Sequence, residues 1–157
     1  MSFNIKTMTT LAYLINKNSE VLLIMKKRGF GEGKWNGPGG KVKEGESLKD
    51  SMLREVKEET GIKILKFLEL GYIEFIWPKE LSKNNTRCYI YLSRDFSGLP
   101  QESEECLPKW FPIDQIPYDK MWDDDKYWYP QALSGIPIKK RFFFDNYAKV
   151  SRFQDIN

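Results

Sequence analysis

The 157 residues predict a single α+β domain, residues 1–157, in which a mixed β-sheet is sandwiched between helices as an α/β/α sandwich. Three observations lead there. Short apolar runs with strand character recur along the chain, a glycine-rich stretch interrupts them after the second run, and a well-capped amphipathic helix follows that stretch. No internal repeat, low-complexity tract or linker divides the chain.

Thr9 to Ile15 and Val21 to Met25 are apolar runs parted by Asn16, Lys17, Asn18 and Ser19, which predicts a β-hairpin. Gly29, Gly31, Gly33, Gly37, Gly39, Gly40 and Gly45, with Pro38 among them, are too many for a regular element and suit tight turns around a ligand. A helix is predicted over Leu48–Thr60: Ser47 and Asp50 make a capping-box pair at its start, and Gly61 suits its stop. Ile62 to Trp77 and Thr86 to Ser93 read as strands around the turn-rich Ser82–Asn85, and Leu107–Phe111 as a further strand. Asp123–Leu133 predicts a second helix, bent near Pro130 and stopped by Ser134 and Gly135, and Arg141–Phe144 the last strand.

With 25 basic against 22 acidic residues the net charge is +3, far from the one-sided balance of a protein that grips a nucleic-acid polymer. No apolar run spans a bilayer, and the first residues, from Met1 to Lys6, lack the long apolar stretch of a signal peptide. Cys88 and Cys106 have no metal-type spacing and read as free thiols. The expectation is a cytoplasmic monomer with no membrane partner. There is no histidine, so acid–base and metal chemistry must fall to carboxylates.

On the predicted helix Glu55, Glu58 and Glu59 fall within about 100° of one another, beside the apolar stripe of Met52, Leu53 and Val56. Like charges at this spacing repel, and a hard divalent cation would offset them; Mg²⁺ suits oxygen ligands better than Zn²⁺ does here. Taken alone, the pattern equally fits a solvated acidic face balanced by Arg54.

The wider stretch runs Gly40, five residues, Glu46, seven residues, then Arg54, Glu55, Val56, Lys57, Glu58, Glu59, Thr60, Gly61 and Ile62. It resembles the Nudix hydrolase family position by position. That resemblance implies a loop–helix–loop presenting glutamates to Mg²⁺ (Mn²⁺ can substitute) on the phosphates of a nucleoside diphosphate linked to another group. It makes Glu55, Glu58 and Glu59 metal ligands or the water-activating base, with no way to choose the base among them, and the Gly39 carbonyl a further ligand. Gly40 and Gly61 shape the motif, Glu46 and Arg54 brace it, and Lys41 reaches phosphate. The implied chemistry is attack of water on a bridging phosphorus while metal withdraws charge from the leaving phosphate.

The flanks are similar to one branch of that family, the MutT homologues that act on oxidised purine nucleoside triphosphates such as 8-oxo-dGTP. Upstream stand Met25, Lys26, Lys27, Arg28, Gly29, Phe30 and Gly31, then Trp35, Asn36 and Gly37; downstream stand Glu102, Ser103 and Glu105, Trp110 and Phe111, Asp114 to Pro117, and Met121, Trp122, Asp124, Asp125, Tyr127, Trp128 and Pro130. Carried over, Asn36, Trp122, Asp124 and Asp125 form the base pocket, lined by Phe75, Trp77 and Phe144. Thr10 and Lys26 approach sugar or phosphates, and Glu105 is an extra metal ligand. Pro38 departs from the pattern, standing where vertebrate members carry an aromatic residue.

The pocket makes chemical sense by itself. Trp122 offers a stacking face, carboxylates accept from the N1–H and N2–H of guanine, and two adjacent aspartates would repel until one holds a proton that it can donate to O6. The bland alternatives are a helix N-terminal cap for Asp123 to Asp125, core packing for Trp122 and solvated charges for Lys26 to Arg28. As function, an oxidised-purine triphosphate diphosphatase stands beside a broader nucleotide diphosphatase and a module that binds a nucleotide without turnover.

Overall fold

The computed structural model describes residues 3–157; Met1 and Ser2, part of the stretch read as lacking a leader, lie outside the described residues. Nine strands and two α-helices follow in the order β1 (Thr7–Leu14), β2 (Glu20–Lys26), β3 (Trp35–Asn36), β4 (Gly39–Lys41), α1 (Leu48–Thr60), β5 (Lys63–Ile76), β6 (Thr86–Ser97), β7 (Cys106–Pro112), α2 (Asp125–Leu133), β8 (Ile138–Phe144) and β9 (Val150–Asp155). They form a six-stranded mixed sheet, β4-β1-β6-β5-β8-β9, and a three-stranded sheet, β3-β2-β7.

The first two strands do turn back on each other, but they part at once. Asn16 Oδ1 accepts the backbone N–H groups of Asn18 and Glu20, and Ile15 bridges Val21. Beyond that bridge β1 runs parallel to β6, while β2 pairs with β7 in the second sheet. The burial pattern gives the reason. Ala12 to Ile15 and Val21 to Ile24 are buried on both faces, as befits strands between two covered layers rather than an alternating, half-exposed hairpin.

Helix α1 places Met52 and Val56 against Ala12, Leu14 and Tyr91 on one face of the large sheet. Helix α2 places Trp128, Tyr129, Ala132 and Leu133 on the other, against Tyr13, Ile73, Ile90 and Phe142. The sandwich therefore has a helix on each side, as expected, with the smaller sheet as an addition. Ser47 Oγ accepts the Asp50 N–H at 3.0 Å, and Gly61 closes α1 in the left-handed region at φ 79°.

The predicted glycine-rich loop carries two very short strands, β3 and β4, the second held against β1 with Thr10 opposite Gly40. The turn before β6 is a 3₁₀ segment, Lys79–Asn84. Helix α2 starts at Asp125 and runs through Pro130 to Leu133. Strand β9 has no counterpart in the sequence reading: five of its six residues are exposed, so it lacks an apolar signature and owes its place to pairing with β8.

Candidate active site

The capped first turn of α1 and the β4 edge bring the acidic residues together around one cation. Arg54 donates from Nε to Glu46 Oε2 at 2.7 Å and from Nη2 to Glu46 Oε1 at 2.9 Å, a bidentate pair. Its Nη1 reaches Glu55 at 2.8 Å and Glu58 at 3.2 Å, and Nη2 also touches the Lys41 carbonyl at 3.3 Å. Glu46 further accepts the Lys43 N–H, and the Arg54 hydrogen bonds hold its pKa down at about 2. The bracing expected of Glu46 and Arg54 is the geometry found, and the Lys41 side chain itself is exposed.

Glu55 and Glu59 differ in surroundings. The Glu55 carboxylate lies over Gly40, where an added Cβ would stand 2.6 Å from its carboxyl carbon. Glu59 Oε1 accepts the Gly39 N–H at 2.7 Å and Oε2 receives the Cys106 thiol at 3.4 Å. Burial pushes Glu59 up to about 7, and the Cys106 thiol beside it up to about 12. Glu58 is the most exposed of the three.

The donor set leans towards a hard divalent cation: carboxylates predominate, the one thiol, Cys106, is held protonated by burial, and Glu59 is desolvated where positive charge would relieve it. Among the described residues, however, no three acidic or sulfur ligands converge as the side chains stand. Arg54 compensates Glu55 and Glu58 instead. Glu105 sits apart, exposed and paired with Arg28 at 2.9 Å, although its neighbour Cys106 touches Glu59.

On the other side of the large sheet lie the expected base-pocket residues. Asp124 and Asp125 are 2% and 3% exposed. Asp124 makes no cap hydrogen bond and its Oδ2 instead accepts Trp128 Nε1–H at 2.7 Å, so the helix-cap reading fails for it. Burial, aided by the neighbouring carboxyl, raises Asp125 well above the ordinary range, and burial raises Asp124 to about 6. Two adjacent buried carboxyls, both raised, favour keeping a proton between them. Asp123 stands outside it, bound to the Val150 N–H and Lys126.

Trp122 is only half-buried, which disfavours plain core packing. It begins an aromatic wall: Trp77 meets it edge-on at 6.4 Å, Phe144 stacks on Trp77 at 4.8 Å, and Phe75 stacks on Phe144 at 5.8 Å. Phe30 lies against Trp122 at 5.1 Å, and Lys34 Nζ stands 5.3 Å over the same ring. Asn36 Oδ1 accepts the hydroxyl of Tyr129 at 3.0 Å. Lys26 stands exposed at the end of β2, on the Glu59 and Cys106 side.

Thr10 does not join this group. Alternation along β1 puts it on the face of Ala12 and Leu14, towards α1, fully buried and with its hydroxyl unpartnered among the described residues. Thr9 takes the other face, beside Cys88, whose thiol senses both aspartates. A shift of one residue in register flips every side chain of a strand, so the pattern alone does not fix which threonine faces the site. Lys34, Tyr129 and Cys106 were missed as well. A signal existed for Tyr129: it lies four residues after Asp125 and so on the same helical face.

Residues 6–132 match the NUDIX domain family. The chain belongs to the Nudix family. Among its Nudix relatives, the oxidized purine nucleoside triphosphate hydrolase of Mus musculus is 44% identical over 131 residues, covering 82% of this chain and 79% of that protein. An 8-oxo-dGTP diphosphatase of Buchnera aphidicola is 32% identical over 112 residues, covering 71% and 82%. The Nudix fold is shared with a MutT protein of Bacillus halodurans, with TM-score 0.83, 23% identity and coverage of 94% and 96%. Nudix hydrolases generally require a divalent cation.

Proposed function

We propose that this Nudix protein hydrolyses oxidised purine nucleoside triphosphates, 8-oxo-dGTP among them, to the monophosphate and pyrophosphate with Mg²⁺, for which Mn²⁺ can substitute. The observation that carries the reading is the pair of adjacent, buried aspartates, Asp124 and Asp125, flanked by Trp122 and Asn36. One carboxyl accepts from a purine edge while the other donates to it, and the Trp122 ring offers roughly 1 to 3 kcal/mol of stacking. The names carried by these relatives support the same substrate class.

Glu55, Glu58, Glu59 and the Gly39 carbonyl would hold the cation, which would supply charge withdrawal from the leaving phosphate. Arg54, fixed by Glu46, keeps Glu55 and Glu58 in place on the helix face. Lys26 and Lys41 supply positive charge for phosphate, and Glu105 is within a loop that closes on Glu59 through Cys106. The same reading takes the protein as a cytoplasmic monomer acting on free nucleotide; two buried free thiols support a reducing compartment.

Chromatography of 8-oxo-dGTP incubated with protein and Mg²⁺ tests this. Monophosphate and pyrophosphate are expected with no diphosphate intermediate, and EDTA abolishes turnover. Orthophosphate as first product, or binding without turnover, would overturn the assignment.

A further inference from the structure

Asn36 could in principle offer a base either its oxygen or its amino group. The structure removes that choice. Asn36 Oδ1 accepts two donors, the Gly37 backbone N–H at 2.8 Å and the Tyr129 hydroxyl at 3.0 Å, and only the oxygen of an amide can do so. The amino group makes no hydrogen bond among the described residues, and Asn36 is only half-buried.

The support behind Asn36 is rigid. Tyr129 is fully buried, and burial raises its phenol far above the ordinary range, so it remains a donor at every working pH. Its ring packs edge-on against Tyr13 at 4.8 Å. The Tyr13 ring in turn leaves no room for a Cβ at residue 37, which would stand 2.7 Å from Tyr13 Cε1. Gly37 thus lets the two tyrosines rise close beneath Asn36.

We infer that Tyr129 is a specificity-determining positioning residue, whose hydroxyl locks the Asn36 amide with its oxygen inward and leaves only N–H donors for the base. The inference rests on the base-pocket reading above. A donor-only Asn36 selects for a purine that turns an acceptor towards it, such as the 6-carbonyl of guanine, and against the 6-amino group of adenine. Without the hydroxyl, Gly37 alone holds the oxygen, and the amide can turn over to accept.

The test compares kcat/KM for 8-oxo-dGTP and 8-oxo-dATP in the wild type, Tyr129→Phe and Asn36→Ala. Tyr129→Phe should lower the ratio about three- to tenfold, mainly through KM for 8-oxo-dGTP, because both aspartates stay in place. A ratio within twofold of wild type in Tyr129→Phe, with a shifted ratio in Asn36→Ala, overturns the lock and leaves the pocket standing. An unchanged ratio in Asn36→Ala overturns the pocket reading itself. Should Tyr129→Phe fail to fold, Asn36→Asp carries the test: it keeps an acceptor for both inner donors but turns an acceptor outward, so relative activity on 8-oxo-dATP should rise, and a fall would overturn the inference.

Discussion

Glu59 and Glu58 stand one residue apart on α1 in unlike surroundings, one desolvated and hydrogen-bonded to the Gly39 backbone, the other exposed and tied to Arg54. An amide in either place keeps the shape and removes the charge. Glu58→Gln and Glu59→Gln should each lower kcat at least about tenfold with the fold intact, measured at saturating Mg²⁺; near-normal kcat in both would sink their catalytic assignment. The adjacent glycines separate site from scaffold. A Cβ on Gly39 would run into the Thr10 carbonyl oxygen, a backbone clash that must break the β1–β4 pairing, whereas one on Gly40 first meets the end of the Glu55 side chain. Gly39→Ala should therefore unfold well below the wild-type temperature. Gly40→Ala should melt near it yet lose activity, and equal melting losses in the two would contradict this division.

At the scale of elements, helix α1 was legible because its signals are local: Ser47 and Asp50 at one end, Gly61 at the other, and an acidic face between. Losing the cap should cost about 1 kcal/mol. Ser47→Ala is accordingly expected to lower the melting temperature by about 2 to 4 °C in a chain of this size, read by calorimetry. An unchanged temperature would mean that the Glu46–Arg54 pair holds the first turn without the cap. What the sequence concealed was non-local. The runs before and after Asn16 were recognisable as strands, but nothing within them says that β1 pairs with β6, 79 residues away at Thr7 and Thr86, while β2 pairs with β7. Strand β9 is polar and exposed, and only its partner makes it a strand. In the site, the glutamates and aspartates were visible as pattern, whereas Tyr129 and Lys34 enter through tertiary contacts of ordinary-looking residues. Thr10 fits the pattern, but the strand turns it towards α1, a facing that the residues by themselves do not reveal.

Across the whole molecule the buried aspartate pair couples pH to stability. The groups around it come from several elements: Tyr13 on β1, Cys88 on β6, Tyr129 on α2, Tyr118 before α2, and Lys34 as the nearby cation. The tyrosines and Cys88 are raised further, Cys88 to about 12, so in the neutral range the carboxyls titrate: Asp124 at about 6, Glu59 at about 7 and Asp125 well above the ordinary carboxylate range. A carboxyl whose folded pKa lies above its unfolded value of 3.8 binds its proton more tightly in the folded state. Its contribution to stability is therefore full below about pH 4 and is lost as pH rises through about 6 and beyond, at up to roughly 1.4 kcal/mol per pH unit for each proton retained. Glu46 has the opposite sign, its folded pKa being depressed, and matters only in acid. Asp125→Asn places a neutral amide beside Asp124, donating to it as the protonated acid did, and removes the proton that the fold must otherwise keep. Urea unfolding in metal-free buffer from pH 5 to 9 should show the wild type losing stability as pH rises. Asp125→Asn should lose less, by about one proton's worth of slope, since the Glu59 contribution is common to both, and it should be the more stable protein at pH 8. Parallel stability curves for the two would show that the pair carries no shared proton, and the base pocket would then have to recognise its purine with two ionised carboxylates.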